Sequence, residues 1–205
     1  MTVQRLKIIG VMASHTLGEG QEDFAVILGQ LIARLGCDLL TGGGTGAMEA
    51  VCKAFTEVAD RRGRCIGIIP ARVSLRNGVY ERKVNYPNRY VEIPICTHVD
   101  KSGAEGLLLR SRNHINALSS DAIVVLEGGD GTLSEAHLAV RYRKPVIAFL
   151  SDPSRMPALD SLPVKKTNRI EDVEAFIRTA VSSGPEPRFS LIQVERPAQL
   201  LEPDF

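Results

Sequence analysis

The chain has 205 residues, 44% of them hydrophobic, with 25 lysines and arginines against 24 aspartates and glutamates and a formal net charge of +1. That length buries one core and leaves little chain for a second. A charge balance this even makes no global field to recruit nucleic acid or an anionic membrane, and no apolar stretch is long enough to span a bilayer.

Short apolar runs alternate with segments of helical period, which predicts β-α-β units and a mainly parallel sheet flanked by helices on both faces, an α/β single domain. The first strand is expected from Lys7 to Ala13. Phe24, Ile27, Leu28, Leu31, Ile32 and Leu35 then recur at steps of three and four up to Gly36, as in an amphipathic helix closed by glycine. A second strand, Cys37 to Thr41, precedes a helix carrying Met48, Val51, Ala54, Phe55 and Val58. A third strand, Cys65 to Pro70, leads into a long polar loop from Ala71 to Arg89, of the kind that is usually functional. A strand from Tyr90 to Ile95 and a helix from Ala104 to Ser119 follow, the latter with Leu107, Leu108, Ile115 and Leu118 inward. The run Ala122 to Leu126 reads as a central parallel strand. A helix from Leu133 to Arg143, a strand from Pro145 to Leu150 and a helix from Glu171 to Val181 complete a domain over residues 1–182. Pro185, Pro187, Pro197 and Pro203 make residues 183–205 an extended tail.

Two glycine clusters stand between a strand and a helix: Gly42, Gly43, Gly44, Thr45 and Gly46, then Gly128, Gly129, Asp130, Gly131 and Thr132. Glycine lets backbone N–H groups close on an anion, and the following helix presents its positive end. Two such turns predict one phosphate-binding crevice at the carboxyl edge of the sheet. Cys37, Cys52, Cys65 and Cys96 lack metal or redox spacing and read as buried apolar residues of a reduced, intracellular chain, so a cytoplasmic location is expected. His15, His98, His114 and His137 form no ligand pattern, so no metal is expected.

With Met48-Glu49-Ala50 and Arg112-Asn113, and with Glu127 and Leu133-Ser134-Glu135 around the second cluster, the chain resembles the Lonely Guy superfamily, long labelled as lysine decarboxylases, over roughly residues 5 to 150. The resemblance implies a Rossmann-like fold, a homodimer or higher homo-oligomer, and a nucleotide-binding site with both glycine clusters as phosphate cradles. It implies catalytic roles for Arg112 and Glu135 in a phosphoribohydrolase that cleaves the N-glycosidic bond of nucleoside 5′-monophosphates with no required cofactor. Glu127, Ser134, Asn113 and Glu49 stand where the hydrolase branch usually has proline, an acid, lysine and glycine. These departures lean toward the branch of molybdenum-cofactor-carrier proteins and uncharacterised Rossmann nucleotide-binding proteins, where the ligand would be a phosphorylated pterin or a nucleotide monophosphate.

Plainer readings exist for the same residues. Thr132 and Glu135 fit a capping box, Arg112 fits a solvated helix face, Glu49 complements a helix dipole, and Gly42 to Gly46 fit a tight turn. Tyr80 and Tyr86 either stack on a base or pack at the domain edge. The second cluster also resembles the nucleotide loop of GGDGT-type kinases, where Asp130 would approach magnesium, but it follows the fifth strand with too little chain beyond it for a second large domain.

Overall fold

The computed structural model describes residues 5–74 and 76–182; the predicted tail lies outside them. Strands β1 (Ile8–Met12), β2 (Asp38–Thr41) and β3 (Cys65–Ile69) alternate with helices α1 (Gln21–Arg34) and α2 (Ala47–Thr56). Hairpin strands β4 (Ala71–Val73) and β5 (Tyr80–Arg82) precede β6 (Ile93–Cys96), a 3-10 turn at Gly103–Glu105, α3 (Arg112–Ser119), β7 (Ala122–Val125) and α4 (Asp130–Arg141). The described chain ends with β8 (Val146–Phe149), a 3-10 turn at Pro157–Ser161, β9 (Lys165–Thr167) and α5 (Ile170–Ser182). The main sheet has seven strands in the order β6-β3-β2-β1-β7-β8-β9, and every pairing is parallel. This is the Rossmann-like α/β fold.

Alternation along the strands builds a core on each face. Ala122 and Val124 join Ile9, Leu39, Phe55 and Ile177 on one side, under α1, α2 and α5. Ile123 and Val125 join Ala117, Leu138 and Leu159 on the other, under α3 and α4. Each large side chain of this set that loses all contact with water stabilises the fold by about 1.5–3 kcal/mol. Gly29 lets α2 come against α1, since a Cβ there would lie 2.5 Å from the Val51 carbonyl oxygen.

The structure corrects several expectations. The segment from Ala71 to Arg89 is not wholly loop: Ala71, Arg72 and Val73 pair antiparallel with Arg82, Glu81 and Tyr80. Its turn includes Gly78 at φ 68, and its exposed charges masked the strand pattern. The long helix from Ala104 is absent because Ser111 is extended and caps α3, its Oγ accepting from the Asn113 N–H at 3.2 Å. Leu107, Leu108 and Leu118 are therefore exposed, not inward. The strand expected from Tyr90 begins at Ile93, and α4 begins three residues before Leu133. Strand β9 went unseen because Lys165-Lys166-Thr167 offers no apolar run. Cys96 is exposed, whereas the other three cysteines are buried.

Candidate functional site

From β1 the chain steps outward through β2, β3 and β6, then returns to lay β7 on the other flank of β1. Loops leaving the carboxyl ends of β1 and β7 must diverge at this reversal, which opens a crevice. A cleft of about 610 Å³ occupies that place. Ser14, His15 and Thr16 line it from the β1 side, Gly129 to Thr132 and Glu135 from the β7 side, and Arg112, Asn113, Lys83 and Tyr86 close it.

Four residues of the second glycine cluster, Gly129 to Thr132, line the cleft. Helix α4 starts from Gly129, which is extended and provides no side-chain cap. The first amides of a helix have no intrahelical acceptor, and those of Asp130, Gly131 and Thr132 belong to residues that line the cleft. Gly128 sits just outside it, and a Cβ there would meet Thr132 Oγ1 at 2.1 Å.

The first cluster is placed otherwise. None of Gly42, Gly43, Gly44, Thr45 and Gly46 lines the cleft; Met48 beyond them does. Their carbonyls point to cations and amides: Arg112 Nη1 donates to Gly42 O at 2.5 Å, while Asn88 donates its backbone N–H to Gly43 O and its Nδ2 to Gly44 O, both at 2.8 Å. A turn that presents acceptors to an arginine cannot at those atoms cradle an anion. Its glycines instead make room, because a Cβ on Gly42 would lie 2.5 Å from Arg112 Nη1 and one on Gly44 would lie 2.8 Å from the Tyr86 hydroxyl.

Arg112 is only 5% exposed, which removes the reading of a solvated helix face. Its Nη1 also donates to Ile68 O at 2.7 Å, its guanidinium lies 5.4 Å from the Tyr86 ring centre, and its buried Nε has no partner among the described residues. Tyr86 thus packs on the site arginine, while Tyr80 is exposed on β5.

Glu135 is 7% exposed, and its Oε1 accepts from Asn116 Nδ2 of α3 at 2.6 Å. The capping-box reading fails, because Thr132 lies inside the helix and Glu135 turns to α3. Burial pushes the Glu135 carboxyl up to about 7, against the pull of the Arg112 charge and the Asn116 bond. Asn116 Oδ1 is buried without a partner among the described residues.

Asn113 and Ser134, two of the departures noted above, satisfy each other: Asn113 Nδ2 donates to Ser134 Oγ at 2.8 Å, and that hydroxyl donates to Gly131 O at 2.8 Å. Neither brings a charge to the cleft. Glu127 ties the loops after β7 and β8 to the start of α1, accepting from the Ser151 N–H and hydroxyl, from Gln21 Nε2 and from Arg155 Nη1. Burial alone would raise its carboxyl, but those donors hold it below the usual range.

Sequence reasoning missed Ser14, His15 and Thr16, and also Lys83 and Asn116. The polar run directly after the first strand was the available signal, but only the strand order shows that it borders the crevice. Among the described residues no group of three or more His, Cys, Asp or Glu is placed to hold a metal ion, and no helix is long and apolar enough to cross a membrane.

A parallel sheet with its cleft at the reversal of strand order, beside an uncapped helix start, defines a Rossmann-like protein with the crevice in which open α/β folds hold ligands. More narrowly, the profile of the SLOG cluster4 family matches residues 6–178, and the chain belongs to that family, within the Lonely Guy-like superfamily. It is similar to the molybdenum cofactor carrier protein of Chlamydomonas reinhardtii, at 30% identity over 87% of this chain and 99% of that one with a TM-score of 0.66. The molybdenum cofactor binding protein of Rippkaea orientalis is 31% identical over 86% and 98% of the two chains, with a TM-score of 0.67. An uncharacterised protein of Archaeoglobus fulgidus is 31% identical over 145 residues, 71% of this chain and 81% of that one.

Proposed function

We propose that this chain holds a phosphorylated small molecule, a pterin cofactor or a nucleotide monophosphate, and does not transform it. The observation that carries this reading is the uncapped start of α4 opening into the cleft beside buried Arg112. Amides at Asp130, Gly131 and Thr132 would take the phosphate oxygens, and Arg112 adds a fixed positive charge. Glu135 lines the cleft with a carboxyl suited to a pterin ring edge or a ribose hydroxyl, and Asn116 behind it holds Oε1 in place. The residues therefore fit both ends of a phosphorylated pterin. Any molybdenum would travel with the ligand, the cofactor supplying its own metal chemistry. The similarity to two molybdenum-cofactor proteins supports the reading, as does the mutual satisfaction of Asn113 and Ser134.

A second reading, the phosphoribohydrolase, is favoured by one observation: Glu135 lines the cleft with a carboxyl that titrates near neutrality. As a carboxylate it would stabilise the ribosyl cation and position water, whose oxygen bonds to the anomeric carbon as the base departs with the electron pair. Mass analysis of small molecules released from the purified protein, run beside an assay for free base from AMP and related monophosphates, separates the two. A phosphorylated pterin or nucleotide is expected, with no base above the protein-free control. Base release that disappears in Glu135→Gln would replace carriage by hydrolysis.

The same reading includes a cytoplasmic homodimer. Among the described residues strand β6 pairs on one edge only, and it exposes Ile93 at 43% and Ile95 at 42%, an apolar edge of the kind that a second copy covers. Light scattering on a sizing column is expected to give twice the chain mass, and Ile95→Glu to give one chain mass; a wild-type monomer removes this part of the reading.

A further inference from the structure

A second cavity, of about 370 Å³, lies against the cleft and shares Ser14, Thr16 and Gly129 with it. Its other walls are of a different kind. Leu17 and Met156 are apolar, and Arg155, half exposed, offers a guanidinium of which Nη1 bonds Glu127 Oε2 at 2.9 Å. Gln21 is held from both ends, donating to Glu127 at 2.9 Å and accepting from the Gly18 N–H at 2.8 Å, so this wall is built rather than loose. Buried Glu127, locked by Ser151, Gln21 and Arg155, fixes the loops after β7 and β8 against α1.

Resting on the reading of the cleft as a phosphate-ligand site, we infer that the ligand is a pyrophosphate-bridged dinucleotide, its second nucleoside seated in the cavity between Leu17 and Met156. The shared rim at Gly129 is where the bridge must cross. On the cleft side stand the uncapped amides of α4 and Arg112, with its unpartnered Nε; on the other side stands Arg155. Arg112 and the half-exposed guanidinium of Arg155, whose Nη1 is given to Glu127, would each offer donors to one of two phosphates. The cavity volume lies within the range of small-molecule sites, and Leu17 and Met156, set among otherwise polar walls, suit the faces of a base.

The test begins with the mass of whatever small molecule the purified protein releases. A pyrophosphate-bridged dinucleotide supports the inference. A phosphorylated pterin or nucleotide without a second nucleoside overturns it and leaves the reading of the cleft intact. Calorimetric titration with AMP and with diadenosine pyrophosphate gives a second measure. The dinucleotide is expected to bind at least about tenfold tighter, and Leu17→Trp, which fills the second cavity, is expected to abolish that advantage while AMP binds as before. Equal affinity of the two probes, or an advantage that survives Leu17→Trp, overturns the inference. No released molecule together with no binding of either probe overturns both it and the reading of the cleft.

Discussion

Replacing Arg112 by methionine is expected to lower the unfolding free energy by roughly 2–4 kcal/mol, since a buried acceptor left without its donor costs about 1–3 kcal/mol. Two acceptors are at stake, the carbonyls of Gly42 and Ile68, which both receive Arg112 Nη1. Methionine fills much of the volume but donates nothing. Some of the loss is returned, because an arginine buried with an unpartnered Nε carries its own desolvation cost. The measurement is a denaturant midpoint that falls with an unchanged slope. A second effect distinguishes this arginine from a merely structural one. Its charge pulls the Glu135 carboxyl down, so in the methionine variant that carboxyl should titrate still higher, as followed by carboxyl NMR. An unmoved midpoint and an unmoved titration would show that the guanidinium is not the keystone of the first glycine loop.

Glu135→Gln is expected to act in the opposite direction. In the folded chain burial raises the Glu135 carboxyl from the ordinary 4.5 to about 7. Between those values the folded state holds a proton that the unfolded state has released, so stability falls as pH rises through that window and levels off above about 7. The full difference is about 3 kcal/mol. Glutamine cannot ionise, and its oxygen can still accept from Asn116 Nδ2. The variant should therefore match the wild type at pH 4 and exceed it by about 2–3 kcal/mol at pH 8, with a flatter stability profile. Thermal or chemical denaturation at several pH values checks this. Identical slopes for the two proteins would mean that Glu135 is solvated and titrates normally. Stability gained by removing a buried carboxyl from a cleft is the trade expected where function keeps a costly group in place.

Much of the site was legible in the chain because phosphate-binding turns are local objects. Gly129, Asp130, Gly131 and Thr132 follow a buried strand and open a helix, and these residues line the cleft. The first cluster has the same spelling and a different fate. Its glycines were needed for space around Arg112 and Tyr86, a requirement set by a residue 70 positions away along the chain from Gly42. Glu135 likewise carried a local signal for a cap, and the structure spends it on Asn116 of another helix.

The strand and helix alternation, the central buried strand Ala122–Val125 and the second glycine turn follow from the order of residues alone, because periodicity and backbone freedom act over a few residues. That β7 returns beside β1, that Ser14 and Thr16 border the same cleft as Gly129, and that Arg112 reaches the first loop are products of chain packing. These depend on strand order and on burial, which no short stretch of chain encodes, since a side chain's charge state and partners are set by whatever distant segment packs against it.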